Sequence, residues 1–456
     1  MKRKVSFHNL GCKVNAYETD VMMSLFEEAG FEIVTFDEPA DVVVINTCTV
    51  TNIADRKSRQ MLHRARKLNP GAIVVAAGCY VTADAERALK DEGIDICIGN
   101  KDKPQIVEKI FRFARDAGDA DAYGISQGFD DEAGDAESIY NGDFKLTRLT
   151  ERTRAYIKIQ DGCNQFCSYC IIPFARGRTV SRSKDEILEE IKGLAAQGVK
   201  EFVITGIHIS SYGYDIKYPD DKPAADRFAP EILIDLLQSI DELDGVERIR
   251  LGSLEPRIIT KEFAKGLKSI RGLCPHFHLS LQSGSDSVLK RMNRHYDTQV
   301  FTDCVRILRE SFDDPAVTTD VIVGFPGESE EEFKESLEFV KKTGFYQMHI
   351  FKYSRRKGTI AASMPAQLTE AQKAERSDRM EEAERVMTED YIKRRSGSAA
   401  EVLFEEEEEI CGKKYMCGYS REYVRVAVPD GASPGDINSV MLGEELKSGI
   451  LLGVAL

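Results

Sequence analysis

A chain of 456 residues with 42% hydrophobic and 30% charged residues is long enough for about three globular domains and too balanced to be fibrous or disordered. Its formal net charge of -14 argues against a simple nucleic-acid binder, and its odd count of 11 cysteines argues for metal ligation rather than disulfides. No apolar segment follows the basic Met1 to Lys4 start, and no apolar stretch reaches the ~20 residues of a bilayer span, so the expectation is a cytoplasmic protein without membrane contact.

Residues 1–115 alternate strand and helix patterns. Strands are predicted at 4–9, 31–36, 41–46, 72–77 and 94–98, with helices at 16–29, 53–68, 83–92 and 103–115 between them. That order predicts a small doubly wound parallel sheet. Residues 116–150 read as an acidic linker, since Asp116 to Asp143 contains nine acidic residues and no Lys or Arg. A second alternating series fills 151–365, with strands at 155–160, 201–205, 248–252, 276–281, 318–323 and 346–353 and helices between them. Six such strands predict a partial (β/α)6 barrel. The charged, helically spaced segment 366–394 reads as a connector helix. Residues 395–456 switch to five short strands at 400–406, 415–419, 423–428, 436–442 and 449–454, the pattern of a small all-β barrel. From Arg395 onward eleven Asp/Glu oppose six Lys/Arg, and the run Glu405 to Glu409 reads as solvated surface.

The chemistry is concentrated in cysteines. Cys163, Cys167 and Cys170 form C-x3-C-x2-C, and the next cysteine is Cys274. A closed 4Fe-4S or structural zinc site needs four protein ligands. Three thiolates on one loop hold three corners of a cubane and leave one iron open. Idle buried cysteines, or a zinc knuckle one ligand short, are the competing readings. A second set is visible only through the strand pattern: Cys12, Cys48 and Cys79 follow the first, third and fourth predicted strands. In an open parallel sheet those ends share the edge where ligands bind, so three thiols can converge there. Three separate core cysteines would be the alternative. Cys97, Cys274, Cys304, Cys411 and Cys417 occupy no comparable positions and read as structural.

The C-x3-C-x2-C loop, with Tyr169 before its last cysteine, resembles the radical S-adenosylmethionine (SAM) superfamily. Leu10-Gly11-Cys12-Lys13-Val14-Asn15, Asn46-Thr47-Cys48 and Ala77-Gly78-Cys79-Tyr80 are similar to the N-terminal domain of the radical SAM methylthiotransferases, and the likeness extends to a C-terminal TRAM-like barrel. The resemblance implies two 4Fe-4S clusters, on Cys12/Cys48/Cys79 and on Cys163/Cys167/Cys170. One SAM would methylate sulfur held at the first, and a second SAM, cleaved at the other, would supply the radical. It also implies SAM contacts from Tyr169, from Thr205 and Gly206 (amino group), from Ser253 and Glu255 (ribose), from Gln282 and Ser283, and from the backbone at Gly324 (adenine).

Three branches of this family act on isopentenyladenosine in tRNA, on a ribosomal-protein aspartate, and on N6-threonylcarbamoyladenosine at tRNA nucleotide 37. The stretches 10–15, 250–256 and 351–359 resemble the third. The implied partners are tRNA, a reductant such as flavodoxin or ferredoxin, and a sulfur donor. Candidate tRNA contacts are Arg56, Lys57, Arg59, Arg64, Arg66 and Lys67; Arg176, Arg178 and Arg182; and Arg355, Arg356 and Lys357, with a solvated face as the alternative for each. The acidic TRAM-like barrel departs from the charge expected of an RNA-binding module. An iron–sulfur electron carrier and a non-catalytic RNA-binding protein are the rival classes.

Overall fold

The computed structural model describes residues 2–116, 144–148, 153–220, 225, 227–447 and 449–456. Near-continuous Val, Ile and Ala runs build the first layer, because a parallel strand covered on both faces has no polar side to alternate with. Strands β1 (Lys4–Asn9), β2 (Glu32–Val34), β3 (Val42–Thr47), β4 (Ile73–Gly78) and β5 (Ile96–Ile98) lie in the order β2-β1-β3-β4-β5, all parallel. Every residue of β3 and β4 is buried. The helix expected at 83–92 is instead two short helices, Cys79–Ala83 and Ala85–Leu89. Gly78, at a φ of 101°, turns the chain straight from β4 into the first of them. The helix expected from 103 begins at Ile106, after a 3-10 segment (Asn100–Gln105) containing Pro104, which has no amide hydrogen to give a helix ladder.

The second layer is the open barrel. Strands β6 (Arg154–Asp161), β8 (Glu201–Gly206) and β9 (Arg248–Leu251) form one parallel sheet, with the short β7 (Val180–Ser181) antiparallel at its edge. Strands β10 (His276–Gln282), β11 (Ala316–Val323) and β12 (Gln347–Lys352) form a second. Isolated bridges Ile249↔Leu273 and Leu254↔Leu279 join the two sheets into six parallel strands. The helix Lys13–Glu28 of the first domain packs against β6 and β8, so the two α/β layers share a boundary.

Within the acidic segment 116–150, residues 117–143 and 149–150 lie outside those described. Residues 144–148 are packed rather than linking. Phe144 and Leu146 belong to the main core, and the Leu146 amide donates to Glu190 at 2.8 Å.

The charged helix Glu370–Arg395 starts with a Thr369/Gln372 capping box and buries Met380, Ala383, Met387 and Tyr391, a narrow apolar stripe laid along β12. Strands β13 (Ala399–Ile410), β14 (Lys413–Ser420), β15 (Arg425–Val428), β16 (Ile437–Lys447) and β17 (Ile450–Ala455) close a barrel in the order β13-β14-β15-β17-β16. Its acid run is not all solvated surface: Glu405 pairs with Arg154 at 2.6 Å, Glu407 with Lys414, and Glu408 with Arg425. Glu401 pairs with Arg248 at 3.0 Å. Glu401 and Glu405 thus dock the small barrel onto arginines at the amino ends of β6 and β9, and Arg250 adds hydrogen bonds to the carbonyls of Ser420 and Arg421. Part of the barrel's acidity is thus neutralised within the protein, while Glu406, Glu407 and Glu409 stay exposed.

Candidate active site at the domain boundary

Each N-terminal triad cysteine sits just past a strand's carboxyl end. Gly11, at a φ of 108°, backs so closely on Cys48 that a Cβ there would lie 2.9 Å from its Sγ. Asn100 donates to the Cys79 Sγ at 3.5 Å and to the Ala175 carbonyl of the barrel domain at 2.9 Å, tying this triad to the chain that follows the other. Cys12 is exposed, whereas Cys48 and Cys79 are buried.

Cys163, Cys167 and Cys170 are half-buried on the loop after β6. Gly162 cannot carry a side chain, since its Cβ would lie 1.8 Å from the Arg178 carbonyl oxygen. Phe166 is held at a φ of 48°, an unusual conformation for a bulky residue, with the Arg178 guanidinium 4.3 Å from its ring centre. Of the five remaining cysteines, Cys274, Cys304 and Cys417 are buried, Cys97 is intermediate and Cys411 is exposed.

A cavity of ≈ 200 Å³ opens between the two loops. Val50 and Thr51, following Cys48, form one wall; Tyr169, Gln282, Asp320, Ile322 and residues Phe351 to Ser354 form the other. Gln282 adopts a φ of 69°, a strained conformation for a residue with a side chain.

The two α/β domains also meet through five buried charges. Glu18 receives Lys103, Lys158 (2.8 Å) and Arg176 (2.9 Å), and Asp161 receives Lys158 (3.2 Å) and Arg176 (3.0 Å). Arg176 also donates to Asn15 at 2.8 Å. Three cations against two carboxylates leave one positive charge, and Cys79 stands close enough to Arg176 and Lys103 to bear on both. The buried surplus therefore suits an anionic centre on the N-terminal triad.

The residues present fit two iron–sulfur clusters. Burial raises the Cys48 thiol to about 11 and the Cys163 thiol to about 12, so both need a metal to become thiolates. Among the described residues, the set of three His, Cys, Asp or Glu donors within 4.8 Å of one another is His278, Asp320 and His349. Neither cysteine triad closes that tightly, as befits thiolates on separate irons rather than on a single ion.

The expected SAM contacts are divided among different environments. Thr205 and Ser283 are buried, and the Ser283 hydroxyl accepts the Ser285 amide at 3.3 Å. Gly206 packs on Gln160, where a Cβ would meet its carbonyl and amide oxygens at 3.0 Å. Ser253 is exposed, with its hydroxyl 2.7 Å from that of Ser280. Gly324, at a φ of 70°, donates its amide to Glu328 at 2.7 Å. Glu255 is enclosed by two guanidinium groups and an imidazole: Arg257 lies at 2.6 Å, Arg294 at 3.2 Å and His208 at 3.8 Å. Burial alone would raise its carboxyl, but His208 and the Arg294 and Arg257 charges hold it at about 2.

Sequence reasoning missed Arg294, which donates to the Cys167 Sγ at 3.1 Å while paired with Glu255. Its position two residues before the buried Tyr296 carries no distinctive signal. Gln160 was also missed; its side chain accepts the His208 amide and donates to the carbonyls of Asp161 and Gly162.

Most of the candidate RNA-binding arginines are engaged internally. Arg176 is in the buried network, Arg182 pairs with Glu190 at 2.7 Å, and Arg356 pairs with Asp55 at 2.6 Å and bonds Asn52 and Thr49. Arg64 and Arg66 pair with Asp37 and Asp95. Arg56, Lys57, Lys67, Arg178, Arg355 and Lys357 are exposed, as is Arg64 within its surface pair with Asp37, and Arg59 is half-buried. Near the triad loops stand exposed apolar groups: Val50, Ile53, Phe174 (60% exposed), Phe351 and Ile360.

A model described as the radical SAM superfamily matches residues 157–340, and one described as uncharacterized protein family UPF0004 matches 4–99. The threonylcarbamoyladenosine tRNA methylthiotransferase MtaB of Bacillus subtilis (strain 168) is 39% identical over 427 residues, covering 92% of this chain and 89% of that protein. The Aquifex aeolicus protein of the same name is 36% identical, over 91% and 95% of the two chains. A tRNA-2-methylthio-N(6)-dimethylallyladenosine synthase of Pelotomaculum thermopropionicum is 32% identical over 90% and 88%. The radical SAM methyltransferase TsrM of Kitasatospora setae, with cobalamin and a 4Fe-4S cluster bound, shares the fold, with a TM-score of 0.54 at 17% identity over 79% of this chain and 74% of that one.

An open barrel with three cysteines on its first loop, beside a sheet domain bearing three more, defines a two-centre radical SAM enzyme. This chain belongs to the radical SAM methylthiotransferase family, and its cofactors are SAM and two 4Fe-4S clusters.

Proposed function

We propose that the protein methylthiolates C2 of N6-threonylcarbamoyladenosine at nucleotide 37 of tRNA, in the cytoplasm, drawing electrons from a donor such as flavodoxin or ferredoxin and sulfur from a separate donor. The observation that carries this reading is the shared cavity, with the residues after Cys48 on one wall and the residue before Cys170 on the other. A base held there would lie between the loops that carry the two cysteine triads. The relatives named for threonylcarbamoyladenosine support the choice of nucleoside.

The C2–H bond is beyond side-chain acid–base chemistry; SAM and the two clusters, when bound, supply the radical and the methylthio group. The chain's own residues hold and orient. Cys12, Cys48 and Cys79 would ligate one cluster, and Cys163, Cys167 and Cys170 the other. Tyr169 and Gln282 line the cavity where base and SAM must meet. Thr205, Gly206, Ser253, Ser283 and Gly324 are offered as the SAM cradle, in which Gly206 and Gly324 contribute backbone. Glu255, saturated by cations, is assigned to positioning: it holds Arg294 against Cys167. The exposed Phe174, Phe351 and Ile360, with Arg178, Arg355 and Lys357 nearby, give unpaired loop bases apolar faces and phosphates cations.

Nucleoside mass spectrometry of tRNA from cells lacking the gene tests the assignment. Loss of 2-methylthio-N6-threonylcarbamoyladenosine with accumulation of its precursor is the expected result. Loss of the 2-methylthio isopentenyl nucleoside instead, or an unchanged profile, overturns it.

A further inference from the structure

Inside the barrel, three adjacent strands bring one polar side chain each within 4.8 Å of the others: Asp320 on β11 lies opposite His349 on β12, and His278 on β10 lies opposite Thr318, two residues earlier on β11. The His278 Nδ1 lies 3.0 Å from the Thr318 hydroxyl, and its Nε2 holds Asp320 at 3.3 Å. His349 is exposed and makes no hydrogen bond among the described residues. Across the domain boundary, Lys13 follows Cys12 directly and opens the helix packed on β6 and β8.

The Lys13 ammonium has no hydrogen bond or ion pair among the described residues. Lys13 is exposed at the start of that helix, and its charge bears on Asp320, His276 and His349 across the boundary. Its other charged neighbours, Arg154, Arg250 and Glu201, are already paired with one another or with Glu405. One cation and one imidazole are thus left without partners beside a carboxylate that also lines the cavity between the cysteine loops. A purely aliphatic substituent would have to bury them unpaired, which costs free energy, whereas a substituent bearing an anion and N–H or O–H donors would satisfy them.

We propose that Lys13, His349 and the His278–Asp320 pair form the subsite that reads the amino-acid appendage of the substrate base. Lys13 and His349 take its carboxylate, and Asp320 accepts from its hydroxyl and ureido N–H groups. This rests on the nucleoside assigned above and goes further, because it locates the discrimination against an isopentenyl group. A site built on polar contacts rejects an analogue lacking the matching groups far more strongly than an apolar pocket does.

Binding of synthetic anticodon stem-loops to the reconstituted, full-length holoenzyme tests the subsite. Three loops are compared, carrying N6-threonylcarbamoyladenosine, its carboxamide analogue, or plain adenosine at nucleotide 37. Wild type is expected to favour the carboxylate loop over the other two by about ten- to a hundredfold, the range of a charged hydrogen bond. Lys13→Met should erase that preference while binding the plain loop as wild type does, and Lys13→Arg should retain part of it. Should Lys13→Met lose iron from the neighbouring cluster, His349→Gln carries the same comparison from the barrel side.

If wild type itself shows no preference for the modified loop, the nucleoside assignment fails. If wild type discriminates and both variants discriminate equally well, the subsite fails while the nucleoside stands. Tight uptake of zinc or manganese by the holoenzyme, abolished by His349→Gln, would also overturn the subsite in favour of a metal site.

Discussion

Arg294 shows how one side chain can serve a cluster without ligating it. Its guanidinium donates to the Cys167 Sγ at 3.1 Å and to Glu255 at 3.2 Å, and its Nε donates to the Tyr296 hydroxyl at 3.0 Å. A planar fork makes these contacts together; a lysine ammonium at the same charge reaches only part of the set. Arg294→Lys should therefore keep full iron at the Cys163 loop yet slow SAM cleavage at least about tenfold, the scale of one lost charged hydrogen bond. Iron analysis with single-turnover SAM consumption checks it, and full iron with a wild-type rate would refute the role. The cysteines were legible in the sequence because strand ends and tight spacing concentrate them. Arg294 was not, because its link to Cys167 spans 127 residues and arises only when the barrel closes. Glu255 was legible as a position at a strand end, but its enclosure by Arg257, Arg294 and His208 depends on three separate segments.

At the scale of single elements, local chemistry wrote most of the boundaries. Strands with Val and Ile runs appear within a few residues of where periodicity places them, and the misplaced helices, 83–92 and 103–115, fail where Gly78 and Pro104 override the apolar spacing. The helix Glu330–Thr343 carries a capping box in which the Ser329 amide donates to Glu332 at 2.8 Å. Glu332 also receives Arg291 at 2.7 Å and Ser287, and these bonds, Arg291 first, hold its carboxyl at about 2 against the opposing effect of burial. A carboxyl depressed on folding adds stability above its unfolded value of ~4.3, and that stability fades as the pH falls through about 2. Glu332→Gln should cost about 1–2 kcal/mol at neutral pH. In urea titrations the gap between the two proteins should shrink steadily below pH ~4. A gap that stays constant down to pH ~2 would show that packing, not charge, sets the cost.

Across the whole molecule, the two α/β layers are joined by charges that no single domain could keep buried alone. Glu18 comes from the first domain's opening helix, Lys103 from its 3-10 segment, Lys158 and Asp161 from β6, and Arg176 from the helix Ile172–Arg176 after the radical cluster loop. This convergence was invisible in the sequence, where Arg176 looked like a phosphate contact. Sequence spacing reports on neighbours along the chain, whereas this network is built from positions up to 158 residues apart. Since Asp161 precedes Cys163 by two residues and Asn15 follows Cys12 by three, Arg176 fixes both cluster loops with one guanidinium. Removing it as Arg176→Met strands Glu18 and Asp161 among fewer cations, and breaking a buried pair costs about 3–5 kcal/mol. Unfolding of anaerobic holoenzyme should show that loss, and the first domain should be released to protease before the barrel. Glu18→Gln alone should also destabilise, by leaving Lys103 and Lys158 under-compensated. The double variant should then be less unstable than the sum of the two, by about 0.5–3 kcal/mol, because each change removes the charge the other left unpaired. Strict additivity would mean that Arg176 and Glu18 act through separate contacts and that the loops are held apart from one another.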